Sequence, residues 1–402
     1  MADHIVVTAL GILSALGQGL PDHAQALQNN IHGLDHPQFL KTIHAPEFIM
    51  GEVKKSNDEL ATALHLPVGD NGYTRTTLLA LTAMQQLLDQ IETSLLQKET
   101  FAFINANTVG GMCSVEDMYF DFISEKKEGY FVKYIDTLDC AESTENVVRY
   151  FGLKPHVATI STACSSSANA LILGARMIKH GLVERAICGG CDAMSRFTVN
   201  GFLSLKNVDK FPCKPFDQNR NGLNLGEGAG YLLLEKESDA KARGATILAY
   251  FSGYANSNDA YHPTAPSPDG EGAFRTMKQA LDAAHIQANE ISYINAHGTA
   301  TANNDAAEGK AIQRLFGNTV PFSSTKPFTG HTLAAAGSIE AVFSILAMQQ
   351  QIIFPNLNFE TQMEELEISP VTCLQTNIPI HHVISNSFGF GGNNVSLIFS
   401  KG

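Results

Sequence analysis

Three segments of this chain place cysteine, histidine and lysine at strand-to-helix junctions, where side chains are best positioned for covalent chemistry. Residues 159–168 read TISTACSSSA: a buried strand, then Cys164, then small residues opening a helix that continues ANALILGARMIKHG. A cysteine at a helix amino terminus faces unpaired N–H groups and the positive end of the helix dipole, which depress a thiol's pKa and make it nucleophilic. The same context also suits a small packing residue, which is what most free cysteines are. The other two segments favour chemistry. INAHGTAT, at 294–301, sets His297 at the carboxyl end of a strand, a common position for active-site groups in α/β folds. SSTKPFTGHTLAAAG, at 323–337, ends a strand with Lys326 and puts His331 before an alanine-rich helix. Two imidazoles and an ammonium converging on one thiol would supply donors to a developing oxyanion.

The elements that must hold these residues are legible as alternating patterns. HIVVTAL, FAFINAN (101–107), VATIST (157–162), RAICGG (185–190) and GYLLLEK (230–236) read as buried strands. Thr76 to Gln97 and Ser166 to His180 carry apolar residues at three- and four-residue spacing and read as helices. The segment Tyr254–Gly272, rich in Asn, Ser, Asp, Pro and Gly, reads as a long surface loop near a boundary. After it come a helix from Gly272 to Ala284, a strand ISYINAH, a helix from Ala306 to Leu315, a strand VPFSST and a helix beyond His331. HVISNSFGFGG and NVSLIFS close the chain as a hairpin with a glycine-rich turn. Strand and helix alternate, so the fold class is α/β, with halves expected at residues 1–250 and 251–402.

Bulk properties exclude several function classes. The chain has 402 residues, 44% of them apolar, enough for two domains or one doubled domain. A net charge of −13 argues against nucleic acid or an anionic membrane as partner. The amino terminus lacks a signal peptide's basic start and cleavage site, and no apolar stretch of about 18 residues is expected, so no membrane span is expected. Seven scattered cysteines fit a reduced, cytoplasmic protein. Cys188 and Cys191 form a C-x-x-C with no second pair at zinc-ribbon spacing, so neither a metal nor a redox site is expected there.

TACSSS, AHGTAT, STKPFTGHTLAAAG and NSFGFGGNN occur in this order, with FDQNRNGLNLGEGAG at 216–230 between them. Together they resemble the signature segments of the decarboxylating β-ketoacyl-acyl-carrier-protein synthases of the thiolase superfamily, along essentially the whole chain. The resemblance implies a thiolase fold of two βαβαβαββ halves stacked in five layers, α-β-α-β-α, and a dimer. It implies that Cys164 accepts the acyl group, that His297 and His331 polarise the malonyl thioester, and that Lys326, paired with Glu308, orders the histidines. Backbone N–H groups of Cys164 and Phe388 would form the oxyanion hole, Phe388 would be the gating phenylalanine, and Phe388 and Phe390 of the same turn would bind substrate. Thr299 and Thr301 would contact the phosphopantetheine arm, while Val109 and Phe202 would line the acyl pocket. The implied partners are an acyl carrier protein with its acyl and malonyl thioesters, and a like subunit or a chain-length factor. No metal or free cofactor is implied, since the phosphopantetheine arm arrives on the carrier protein. The implied pathways are fatty-acid elongation and polyketide or polyene assembly, aryl polyenes included.

Two departures stand out. The family's turn usually reads GFGGTN, whereas here Asn393 replaces the threonine. The basic patch that receives the carrier protein is sparse: 60–76 holds only Arg75, leaving Lys126, Lys127, Lys133, Lys206 and Lys210 as candidates. Both features incline the reading toward a specialised pathway. Among rivals, a papain-like hydrolase matches the 133-residue separation of Cys164 and His297 (297 − 164), yet its cysteine context is absent and the chain has no tryptophan. A thiolase would use a second, carboxyl-terminal cysteine, but none follows Cys373. A chain-length factor would lack the nucleophile.

Overall fold

Runs that are apolar on both faces become inner strands of one continuous sheet, because only a strand covered on both sides tolerates that pattern. The computed structural model describes residues 4–96, 100–119, 123–124 and 134–402. The first half contributes Ile5–Ser14 (β1), Phe101–Ala106 (β2), His156–Ile160 (β3), Arg185–Asp192 (β4) and Gly228–Lys236 (β5). The second contributes Ala249–Asn258 (β6), Tyr293–Asn295 (β7), Phe322–Ser323 (β8), His382–Gly389 (β9) and Asn393–Ser400 (β10). Across the sheet these run β3-β2-β4-β5-β1 and then β6-β10-β9-β7-β8. Counted within each half, the order 3-2-4-5-1 meets its mirror image.

Directions repeat as well. β2 is parallel to β3 and β4, while β5 is antiparallel to β4 and β1. Likewise β7 is parallel to β8 and β9, while β10 is antiparallel to β9 and β6. The halves join where β1 pairs with β6 through Val6↔Tyr250 and Val7↔Ala249. A duplication too faint to read in residue identity is therefore carried by topology.

Helices Arg75–Leu88 (α1) and Cys140–Tyr150 (α2) cover one outer face, and Glu271–Ala284 (α5) with Ala302–Phe316 (α6) covers the other. Between them Ser166–Lys179 (α3) packs on Ala336–Gln350 (α7), each touching strands of both halves. Arg196–Ser204 (α4) lies off this stack beside Cys164. The layers are thus α-β-α-β-α, as expected. Gly337 permits the central approach: a Cβ there would sit 2.8 Å from the Ala168 Cβ and 2.9 Å from its backbone N. Because α7 is buried from Ala336 to Met348, it carries apolar residues on every side. The helical segment Leu333–Gln350 is in fact long and apolar enough to cross a membrane, correcting the expectation of no such stretch; 89% of it is buried in the protein, which marks a core helix.

Several boundaries move. The expected helix 76–97 ends at Leu88, with a separate 3₁₀ turn at Thr93–Leu96. β6 extends to Asn258, into the segment read as loop, because it pairs along β10. The helix expected at 306–315 starts earlier, at Ala302. The terminal hairpin forms as expected, with Gly391 and Gly392 at φ 80 and 77 in its turn. Cys188 and Cys191, three apart on β4, point to opposite faces and join different apolar clusters, so they do not share one ligand site.

Candidate active site

β3 delivers the nucleophile through a tight elbow. Ala163 adopts φ 53 in the left-handed region, Ser166 Oγ accepts the Thr162 N–H at 2.8 Å, and α3 starts at Ser166. Cys164 therefore sits just ahead of the helix amino terminus. Its Sγ and one ring nitrogen each of His297 and His331 lie within 4.8 Å of one another, all three residues buried. The imidazoles stand edge to face, centroids 5.4 Å apart, and Phe388 lies 5.9 Å from the His297 ring.

Hydrogen bonds fix which ring atoms carry protons. The Leu333 N–H donates to His331 Nδ1 at 3.1 Å, and the Lys326 ammonium faces His297 Nδ1 at 3.2 Å. Both Nδ1 atoms are thereby assigned as acceptors and both Nε2 atoms carry hydrogen. His331 Nε2 has no protein partner and is free to donate to a ligand. Burial first, then the Lys326 charge, hold both histidines well below the ordinary value, so they are neutral. With both Nε2 positions committed as donors, the trio suits a carbonyl oxygen better than a metal ion.

Lys326 bridges to Glu340 at 2.5 Å and donates to the His297 carbonyl at 2.6 Å. This corrects the expected Lys326–Glu308 pairing. Glu308 instead accepts the backbone N–H groups of His297 and Gly298, each at 2.8 Å, and so clamps the strand end that carries the histidine. Burial raises both carboxyls to about 7, against the pull of Lys326 on Glu340 and of the two N–H groups on Glu308. The sequence reading missed Glu340, although a lone acid in the apolar run AGSIEAVFS was a signal.

The thiol departs from expectation too. Burial pushes Cys164 up to about 11, and Lys326 and the N–H groups of Phe390 and Cys164 only partly offset it. The backbone N–H groups that act on the sulfur are those of Cys164 and Phe390, two residues on from the Phe388 expected to share the oxyanion hole with Cys164. Register explains the shift: Phe388 still pairs with Asn394 inside the hairpin, while Phe390 lies in the turn.

Two cavities meet at Cys164. A cleft of 220 Å³ is lined by Thr299, Thr301, His297, His331, Phe388 and Phe390, among others. An apolar pocket of 450 Å³ beyond it includes Val109, Phe197, Phe202, Leu205 and Leu333. Phe202 and Phe390 line both and stack at 5.7 Å, so the pair stands between them. Asn393, the departure in the turn, accepts hydrogen bonds on Oδ1 from Ser165, Asn169 and Asn256, tying the turn to the start of α3.

The candidate docking residues divide. Arg75 is buried, with Glu227 at 2.6 Å, and so offers nothing to a partner. Lys210 is exposed but paired with Glu47, and Lys206 is exposed. Lys126, Lys127 and Lys133 lie outside the described residues.

Comparison with known proteins gives a consistent result. The family model "Beta-ketoacyl synthase, N-terminal domain" matches residues 2–240, and "Beta-ketoacyl synthase, C-terminal domain" matches 248–360. The 3-oxoacyl-[acyl-carrier-protein] synthase 2 of Staphylococcus aureus (strain COL) is 32% identical over 419 residues, covering 99% of this chain and 98% of that protein. Its namesake from Synechocystis is 34% identical over 412 residues, with coverage of 99% and 98%. The solved ishigamide ketosynthase/chain length factor superposes with a TM-score of 0.93 at 27% identity, over 100% of both chains. The ketosynthase ApeO in complex with its chain length factor ApeC, from Xenorhabdus doucetiae, gives 0.84 at 32% identity, over 100% of this chain and 98% of that one.

Proposed function

We propose, for a chain that belongs to the β-ketoacyl synthase family, that it extends acyl chains in fatty-acid or polyketide synthesis by decarboxylative condensation at Cys164. The observation that carries this reading is the cluster of Cys164, His297 and His331 where the cleft beside Thr299 and Thr301 meets an apolar pocket. The division of labour follows from the two cavities. An acyl chain lies past Phe202 and Phe390 in the apolar pocket, and the phosphopantetheine arm of an acyl carrier protein occupies the cleft beside Thr299 and Thr301.

In the first half-reaction the Cys164 sulfur attacks the acyl thioester carbonyl. Its oxygen receives hydrogen bonds from the N–H groups of Cys164 and Phe390. The carrier thiolate departs and takes up the proton that the Cys164 thiol gives up, so the exchange needs no external base. In the second, the malonyl thioester oxygen accepts from His297 Nε2–H and His331 Nε2–H. Loss of carbon dioxide leaves an enolate whose charge those donors stabilise, and its carbon attacks the cysteinyl thioester, releasing the Cys164 thiolate, which takes up a proton from solvent to restore the neutral thiol. Lys326, held by Glu340, keeps His297 in the donating tautomer. No free cofactor enters.

The chain acts as a dimer and in the cytoplasm on this reading. Supporting the dimer, β3 is the outer strand of the sheet with Val157 48% exposed, and Phe197 beside the acyl pocket is 65% exposed. Free cysteines throughout the described residues support a reducing compartment. The mirrored strand order supports a division into halves near residue 250. Where the partner is an unlike chain-length factor, this chain is the active subunit, because it keeps the nucleophile and both histidines.

The test separates the half-reactions. His297→Ala and His331→Ala should each keep acyl transfer to Cys164 within about tenfold of wild type while lowering condensation with malonyl carrier protein by more than about a thousandfold. Equal loss of both half-reactions would refute the assignment.

A further inference from the structure

Asp192 ends β4, fully buried, and belongs to no step described above. Its Oδ1 accepts the Thr108 N–H at 3.0 Å and the Val109 N–H at 3.3 Å. Its Oδ2 accepts the Thr108 hydroxyl at 2.6 Å and the Ala334 N–H at 2.9 Å. Among the described residues no ion pair neutralises it, so these donors alone meet its charge.

The two segments it joins share the apolar pocket but serve different half-reactions, because the second also carries His331 into the cleft. Thr108 and Val109 line the apolar pocket. Ala334 follows Leu333, which adopts φ 53 in the left-handed region and whose N–H fixes the His331 tautomer. Leu333 also lines the apolar pocket. One carboxylate thus anchors the wall that meets the acyl chain and the strained turn that aims the malonyl donor.

We propose that Asp192 is a positioning residue that sets acyl-chain selection and His331 donor geometry together, through one shared anchor. This rests on the condensing reading of Cys164 and His331. A carboxylate can serve both segments because each oxygen accepts more than one hydrogen bond. An amide in its place offers one accepting atom and turns an NH₂ toward an N–H, so at least one segment loses its anchor.

The test compares wild type with Asp192→Asn, using acyl carrier thioesters of graded length and malonyl carrier protein. Acyl loading at Cys164 is followed by intact mass and carbon dioxide release by steady-state kinetics. The expected result is a kcat for the malonyl half-reaction at least tenfold lower at an unchanged KM, together with a change of threefold or more in the preference between successive chain lengths. A uniform fall across both half-reactions and all lengths, or no change, would overturn the proposal. Should Asp192→Asn fail to fold, Thr108→Val decides: it removes one donor on the acyl side only, and must shift the chain-length preference threefold or more, an unchanged preference overturning the proposal. Failure of wild type to load at Cys164 would instead defeat the condensing reading itself.

Discussion

Cys164 is a neutral thiol at rest, because what surrounds it is buried and the nearest formal charge, Lys326, is already paired with Glu340. Position ahead of a helix does not by itself yield a thiolate; desolvation here outweighs the donors. With its folded value raised to about 11, the thiolate fraction grows as pH rises toward that value. Alkylation of Cys164 by iodoacetamide, followed by peptide mass mapping, should accelerate by about tenfold per unit from pH 7 to 9. A rate that levels off below pH 7 would mean the backbone donors and helix end outweigh burial. The same neutrality suits transfer chemistry, in which the proton passes to the departing thiol.

Short elements ending in sharp turns deliver each group, and glycine makes one of those turns possible. His297 follows β7 and precedes Gly298, whose φ is +37 and whose added Cβ would meet Ser324 Cβ at 2.5 Å and Phe216 at 2.8 Å. Gly298→Ala should therefore destabilise the protein by about 2–4 kcal/mol through backbone strain and overpacking, and reduce condensation with it. Gly69, at φ +84 with nothing within 4 Å of its would-be Cβ, makes the control: Gly69→Ala should cost only about 1 kcal/mol. Urea unfolding measures both, and equal costs would contradict the crowding argument. At this scale much was legible. The helix after Cys164, the strands that end near His297 and Lys326, and the hairpin all carry strong local patterns. The partner of Lys326 was signalled only as a lone acid in an apolar run; that Glu340 reaches Lys326 depends on the turn through Gly330 and Leu333, and the positive φ of Leu333 has no local signal. The choice between Phe388 and Phe390 depended on where the hairpin ladder stops, one pleat beyond the reach of pattern alone.

Two mirrored halves put the nucleophile on one and both histidines on the other, so the site exists only because the halves share one sheet and a double helical layer. That arrangement was legible as order of motifs, while its proof needed strand direction, which no residue pattern encodes. The mass of the chain is 43.4 kDa. If β3 is the pairing edge, light scattering should give about twice that mass, and Val157→Lys should return it to the single-chain value by placing a charge on that edge. A wild-type chain that stays monomeric alone and with an unlike ketosynthase-family subunit would contradict the dimer.

The central claim is that Cys164 carries the growing chain between two half-reactions. Incubation with an acyl carrier protein thioester should add one acyl mass, mapped to the Cys164 peptide, and subsequent malonyl carrier protein should remove that mass while a β-ketoacyl product two carbons longer appears on the carrier. Labelling at another cysteine, or an acyl group on Cys164 that malonyl carrier protein leaves in place, would contradict it.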